Sequence, residues 1–229
     1  MIYCFGDSWG AGAELNKGEK PFVELFNEPY KNYSFDGNSY PIIMVAFLDN
    51  YKDIKPEDTV IIVVPPDIRW YTQLEDTFKN FNIGVPFHKN FPNKKYMEWI
   101  DDKDSRWFIF HSSLFTYTIQ TILDKIGCRY LFMHNYGGEF IIDDRFKSLI
   151  NIDNFLNIKK SLTDLLSDST DDYSAWKREP IKKWWKKLAD GPTRKAFSGI
   201  YFEGNLHHPN QLGHYRIKEL IEDALIKRT

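Results

Sequence analysis

Several features that would place a chain at once are scarce here. Only two of the 229 residues are cysteine, Cys4 and Cys128, each inside an apolar run that reads as a strand. That excludes a disulfide framework and fits two buried thiols in a reducing compartment. Charge of one sign is lacking as well. The net charge of −2 supplies no general electrostatic argument for a nucleic-acid partner. No stretch of 18 consecutive apolar residues occurs, so no membrane-spanning helix is expected. The start, Met1-Ile2-Tyr3-Cys4-Phe5, has no basic segment leading into a long apolar one, and no secretory leader is expected. These absences together predict a cytoplasmic protein, with later incorporation into a larger particle left open. A phosphate-binding loop is excluded, because no long glycine span runs into Lys-Ser or Lys-Thr.

Aromatic residues, in contrast, are plentiful. Eighteen Phe, 13 Tyr and 7 Trp imply either a bulky core or aromatic-lined surfaces. At this length one domain spanning 1–229 is expected, and no internal repeat or second boundary is visible.

Hydrophobic patterning gives an alternating order of elements. Ile2 to Phe5 reads as a first buried strand, and Asn32 to Phe35 as a short second one. Ser39 to Tyr51 is helical, with Pro41 suited to its first turn. Thr59 to Val64 is uninterrupted Thr-Val-Ile-Ile-Val-Val, which implies cover on both faces and a central place in a parallel sheet. Pro65-Pro66 ends it. An aromatic-rich excursion around 67–110 lacks a sustained period. Ser112 to Ile126 reads as a helix, Cys128 to Met133 as a strand, Asn154 to Leu166 as a helix and Phe197 to Phe202 as a last strand. Pro180 to Ala189 reads as a lid or packing helix, with Trp184 and Trp185 on one side and Lys182, Lys183, Lys186 and Lys187 on the other. Pro209 to Ile226 closes the chain as a helix. The fold class is therefore α/β, with about five strands in a mostly parallel sheet covered by helices on both faces.

In such sheets ligands bind beyond the carboxyl ends of the strands. Gly6-Asp7-Ser8, Asp36-Gly37-Asn38, Pro66-Asp67-Ile68-Arg69 and His134-Asn135 all fall on that rim. Ser8 is a candidate nucleophile, since a serine hydroxyl attacks once a base takes its proton. His207, His208 and His214 offer that base from the far end of the chain. Asp7 and Ser8 equally suit a turn or a helix cap. A zinc site built from the three histidines lacks a convincing ligand geometry, and neither metal nor cofactor is expected.

Two motifs at opposite ends of the chain carry a resemblance. Gly6-Asp7-Ser8-Trp9-Gly10, together with His208-Pro209-Asn210-Gln211-Leu212-Gly213-His214, resembles the SGNH (GDSL-type) hydrolase superfamily over almost the whole length. The resemblance implies a three-layer α/β/α sandwich that hydrolyses esters, including acylated lipids and acetylated sugars. It assigns Ser8 as nucleophile, His208 as base and Gly37 as a backbone oxyanion donor. Two departures accompany it. Pro66 stands where the family has an oxyanion-binding asparagine, a role that Arg69 or Asn135 is positioned to assume. Asn205 stands three residues before His208 where the family has an aspartate. That leaves Glu203, Asn205 itself or a backbone carbonyl to orient the ring. The expected partner is a small-molecule, carbohydrate or lipid ester. The rival expectation is a non-catalytic binding or structural protein on a degenerate scaffold of the same kind.

Overall fold

The computed structural model describes residues 1–65, 69–74, 77–82, 105–135, 139–156, 158–166 and 208–227, with 69–74, 77–82 and 105 as backbone only. Ile2–Phe5 forms β1, Tyr30–Asn32 forms β2 and Thr59–Val64 forms β3. Arg69–Leu74 (β4) and Thr77–Asn82 (β5) pair antiparallel as a separate two-stranded ribbon. Arg129–His134 (β6) completes a four-stranded sheet in the order β2-β1-β3-β6. All three pairings in that sheet are parallel, with Ile2 opposite both Tyr30 and Thr59, and Thr59 opposite Arg129.

Alternation along the strands builds two cores from one sheet. In β3 every residue is buried, as its unbroken apolar run predicts. Val60, Ile62 and Val64 join Tyr3, Phe5, Tyr130 and Phe132 on one face. Helices α2 (Tyr40–Asn50) and α3 (Ser105–Ile126) cover that face through Tyr40, Ile43, Phe47, Ile119 and Leu123. Ile61 and Val63 join Ile2, Cys4, Leu131 and Met133 on the other face. There they meet Trp9, Phe22, Leu162, Ile217 and Ile221. Period-two side-chain direction thus divides each strand between two helical layers, giving an α/β/α arrangement. Each fully buried aliphatic side chain in these cores contributes about 1.5–3 kcal/mol.

The order of strands decides where chemistry can happen. From β1 the chain moves to β2 on one side, then returns past β1 to β3 on the other. The crevice between β1 and β3, at their carboxyl ends, is the topological switch point where open parallel sheets bind ligands. The turn carrying Ser8 leaves β1 at that point.

Three expectations change in detail. The second strand is Tyr30–Asn32, not 32–35, although Tyr33 and Phe35 still donate from their backbones to Cys4 and Gly6. The helix expected from Ser112 begins at Ser105, within the stretch read as irregular. The helix expected over Asn154–Leu166 does not form as one piece. Ile152–Asn154 makes a single 3-10 turn, and Phe155 then runs beside β6, its ring 5.2 Å from that of Phe132. Only Leu162–Leu166 (α4) is helical. Burying Phe155 against the sheet outweighs local helix propensity. The start of α4 is set by a reciprocal cap, in which the Asp164 carboxylate takes both the backbone N–H and the hydroxyl of Ser161. The described parallel sheet has four strands. The fifth strand expected at 197–202 and the helix at 180–190 lie outside the described residues. Among the described residues no helix is long and apolar enough to cross a membrane.

Candidate active site

Ser8 opens a single helical turn, α1 (Ser8–Ala11), directly after β1. Asp7 caps it by accepting from the Trp9 N–H at 3.2 Å, so the predicted cap and the candidate nucleophile occupy adjacent positions. The Trp9 ring is fully buried in the core below. Glycine at position 6 is required by close approach, because a Cβ there would lie 2.6 Å from Val63 Cβ. Gly10 is required likewise, since a Cβ there would overlap the Ser34 hydroxyl.

Three asparagine side chains pin this turn from different directions. Asn32 donates to the Gly10 carbonyl at 2.9 Å, and Asn38 donates to the Gly6 carbonyl at 3.0 Å. Asn135, fully buried after β6, donates to Asp7 Oδ2 at 2.7 Å. Its backbone carbonyl accepts from the backbone N–H and the hydroxyl of Thr163. Ser8 is therefore buried on a turn held by strands β1 and β2, the approach to α2 and the end of β6. Among the described residues nothing hydrogen-bonds its hydroxyl.

The far end of the chain meets the segment that follows α1. Asn210 caps α5 (Gln211–Ile226) by accepting from the Gly213 N–H at 3.0 Å. Gln211 exchanges two hydrogen bonds with the Lys20 backbone, at 2.7 and 3.0 Å. His214 Nδ1 accepts from the Phe22 N–H at 3.1 Å. With Nδ1 an acceptor, the His214 proton sits on Nε2, which is buried and unpartnered among the described residues. Burial, reinforced by the neighbouring His208, pushes the His214 ring down to about 4. Its place is structural, as its position one turn into the helix predicts.

His208, two residues before the Asn210 cap, reaches Glu14. Its Nδ1 lies 2.7 Å from Glu14 Oε2, and its side chain is only 16% exposed. Glu14 has φ +69°, the one left-handed non-glycine backbone among the described residues. That conformation costs a residue with a Cβ about 1–2 kcal/mol. Ser8 and His208 do not hydrogen-bond to each other. They are linked through the α1 turn, where Gly12 and Ala13 both donate to the Ser8 carbonyl, and Glu14 follows.

The remaining candidates divide. Gly37 sits at φ +77° in the turn between β2 and α2, a conformation that favours glycine, and no described acceptor takes its N–H. The Asn135 amide is directed to Asp7. Arg69 begins β4, and its side chain lies outside the described residues, as do Pro66, Asp67, Glu203, Asn205 and His207 entirely. Glu14 and Asn32 were missed as site-building residues, while Asn38, placed on the rim by the sequence, was not foreseen as a donor to Gly6. Gly-x-Glu directly after the serine turn gives no periodic signal, and only the fold brings it to His208.

No family model matches the chain, and no curated protein matches it. Among solved structures, the lipase Lip_vut3 from goat rumen metagenome aligns with TM-score 0.45 and 16% identity, over 97% of this chain and 96% of that one. A member of the lipolytic protein G-D-S-L family from Veillonella parvula aligns with TM-score 0.40 and 13% identity, over 97% and 96%. Likeness at this level carries no chemistry from those proteins to this one.

Proposed function

We propose that the chain is a serine esterase or deacetylase-like hydrolase working by acyl transfer, with Ser8 as nucleophile and His208 as base. One observation carries this reading. His208 is held through Glu14 against the loop leaving the Ser8 turn, and that turn lies at the β1–β3 switch point. Catalytic hydrogen bonds are often long before substrate binds, so a missing direct Ser8–His208 bond is compatible with it.

In the proposed reaction Ser8 Oγ bonds to the ester carbonyl carbon while His208 Nε2 takes the hydroxyl proton. The carbonyl oxygen becomes an oxyanion, received by the backbone N–H groups of Ser8 and Gly37, neither of which serves a described acceptor. His208 then protonates the departing alcohol, and water, deprotonated by the same ring, releases the acid and restores Ser8. The substrate class is a carboxylate ester of a lipid or a carbohydrate.

Intact-protein mass spectrometry after treatment with a fluorophosphonate tests the assignment. Ser8 should be modified in the native protein, and modification should slow strongly in His208→Ala. A native protein left unmodified at Ser8, or a Ser8→Ala protein with undiminished turnover of p-nitrophenyl acetate, overturns it.

A further inference from the structure

We infer that Glu14 is the positioning carboxylate of this site, taking the place of the acid that the closing motif lacks at Asn205. The inference rests on the acyl-transfer reading for its purpose, but its physical content concerns the His208 ring alone.

Geometry leads to it. A carboxylate oxygen accepts and does not donate, so a 2.7 Å contact to Glu14 Oε2 fixes the proton of neutral His208 on Nδ1. The lone pair is then on Nε2, the nitrogen a general base must present. An unpaired imidazole is free to exchange tautomers and to rotate. This one is held on one side by Glu14 and in sequence by Pro209 and the Asn210 cap.

The backbone at Glu14 is an independent observation. Its φ of +69° is a conformation that glycine or asparagine would adopt with less strain. A glutamate held there has its side chain spent on His208, and no other described residue takes that carboxylate. The nearby Glu19 is a useful contrast. Its carboxylate accepts from the Asn16 N–H at 2.7 Å and serves only the loop itself. The acid thus lies six positions after the nucleophile, just beyond the first motif instead of within the last. Bound to the serine's own turn, it ties the base to the nucleophile segment directly.

The test uses full-length protein with 15N-labelled histidine, comparing wild type, Glu14→Gln, Glu14→Ala and Glu19→Ala. The 15N spectrum reads which nitrogen of His208 carries the proton, whether or not the protein turns over any ester. We expect the Nδ1–H tautomer in wild type and Glu19→Ala, and a shift towards Nε2–H in Glu14→Ala. Fluorophosphonate modification of Ser8 is expected to slow about 10²-fold or more in both Glu14 variants, with thermal midpoints near wild type. A His208 tautomer unchanged in both Glu14 variants overturns the inference, as does slowing equal to that of Glu19→Ala. If Ser8 is inert in wild type while the tautomer still follows Glu14, the hydrolase reading fails and the positioning of His208 by Glu14 stands.

Discussion

Asn135 donates to Asp7 across 2.7 Å, joining the residue after β6 to the residue before Ser8. Both side chains are fully buried, and the bond spans the switch point from the far edge of the sheet. Asp7 Oδ1 meanwhile caps α1. The carboxylate therefore joins the α1 turn to the end of β6, and the orientation of the Ser8 turn depends on both bonds.

Asn135→Ala should destabilise the protein by about 2 kcal/mol, because it removes a short, fully buried hydrogen bond to a carboxylate. Asn135→Asp should cost more, since a second carboxylate would face the first. Urea denaturation measures both, and Ser8 modification should slow in each variant that still folds. Equal stability of wild type and Asn135→Ala would show that Asp7 does not need this donor.

Glycine at position 6 is a packing requirement. Gly6→Ala sets a new Cβ 2.6 Å from Val63 Cβ, an atom fixed to the central strand. Backbone must shift, at a cost of about 1–3 kcal/mol. Val63→Ala removes the lesser Cγ2 contact at 3.0 Å but keeps the offending Cβ, so the double variant should recover little of the loss and add a cavity penalty. Thermal melts of the two single variants and the double variant would show this.

His214 should make the fold acid-sensitive. Its folded value of about 4 lies below the ordinary 6.5, so between those two the unfolded chain binds more protons. Stability from this group is complete above about pH 6.5 and is lost as pH falls toward 4. Linkage puts the loss between pH 7 and pH 5 at about 2 kcal/mol. His214→Gln keeps an acceptor for the Phe22 N–H but cannot titrate, so its stability should vary less over the same range. Chemical denaturation at pH 7 and 5 decides it; parallel slopes would remove His214 from the account.

Cys4 and Cys128 should resist thiol reagents in the native protein. Burial pushes Cys4 up to about 12, with the Ser34 hydrogen bond opposing and Asp7 adding to it. Burial likewise pushes Cys128 up to about 11. A thiolate is the reactive form, so neither sulfur is available near neutral pH. A disulfide-exchange reagent should titrate no thiol in buffer and both in denaturant.

A single alanine scan cannot distinguish strain at Glu14 from its bond to His208, but Glu14→Gly can. That change removes the His208 contact and relieves the left-handed backbone together. Its thermal midpoint should stay near that of wild type while Ser8 modification slows. A large loss of stability would mean that the glutamate mainly holds the loop.

Much of the layered scaffold was legible in the chain itself. The six-residue apolar run of β3 announced a strand covered on both faces, and Pro41 marked a helix start by local chemistry alone. Ser8 and His208 stood out because each lies in a compact motif whose neighbours cap, turn and clamp within a few residues. Sequence also determined that glycine occupies positions 6, 10 and 37, although not that the first two are fixed by Val63 and Ser34. What only tertiary structure decided are the pairings across long separations: Asn135 with Asp7, Gln211 with Lys20, Phe155 with Phe132, and Glu14 with His208. Such contacts depend on where parallel strands and their crossovers bring distant segments, and no short-range periodicity records that. Glu14 illustrates the limit best. Six residues from the serine it reads as an ordinary loop glutamate, and it acquires a partner only when the residues leading into the last helix come beside the loop after α1.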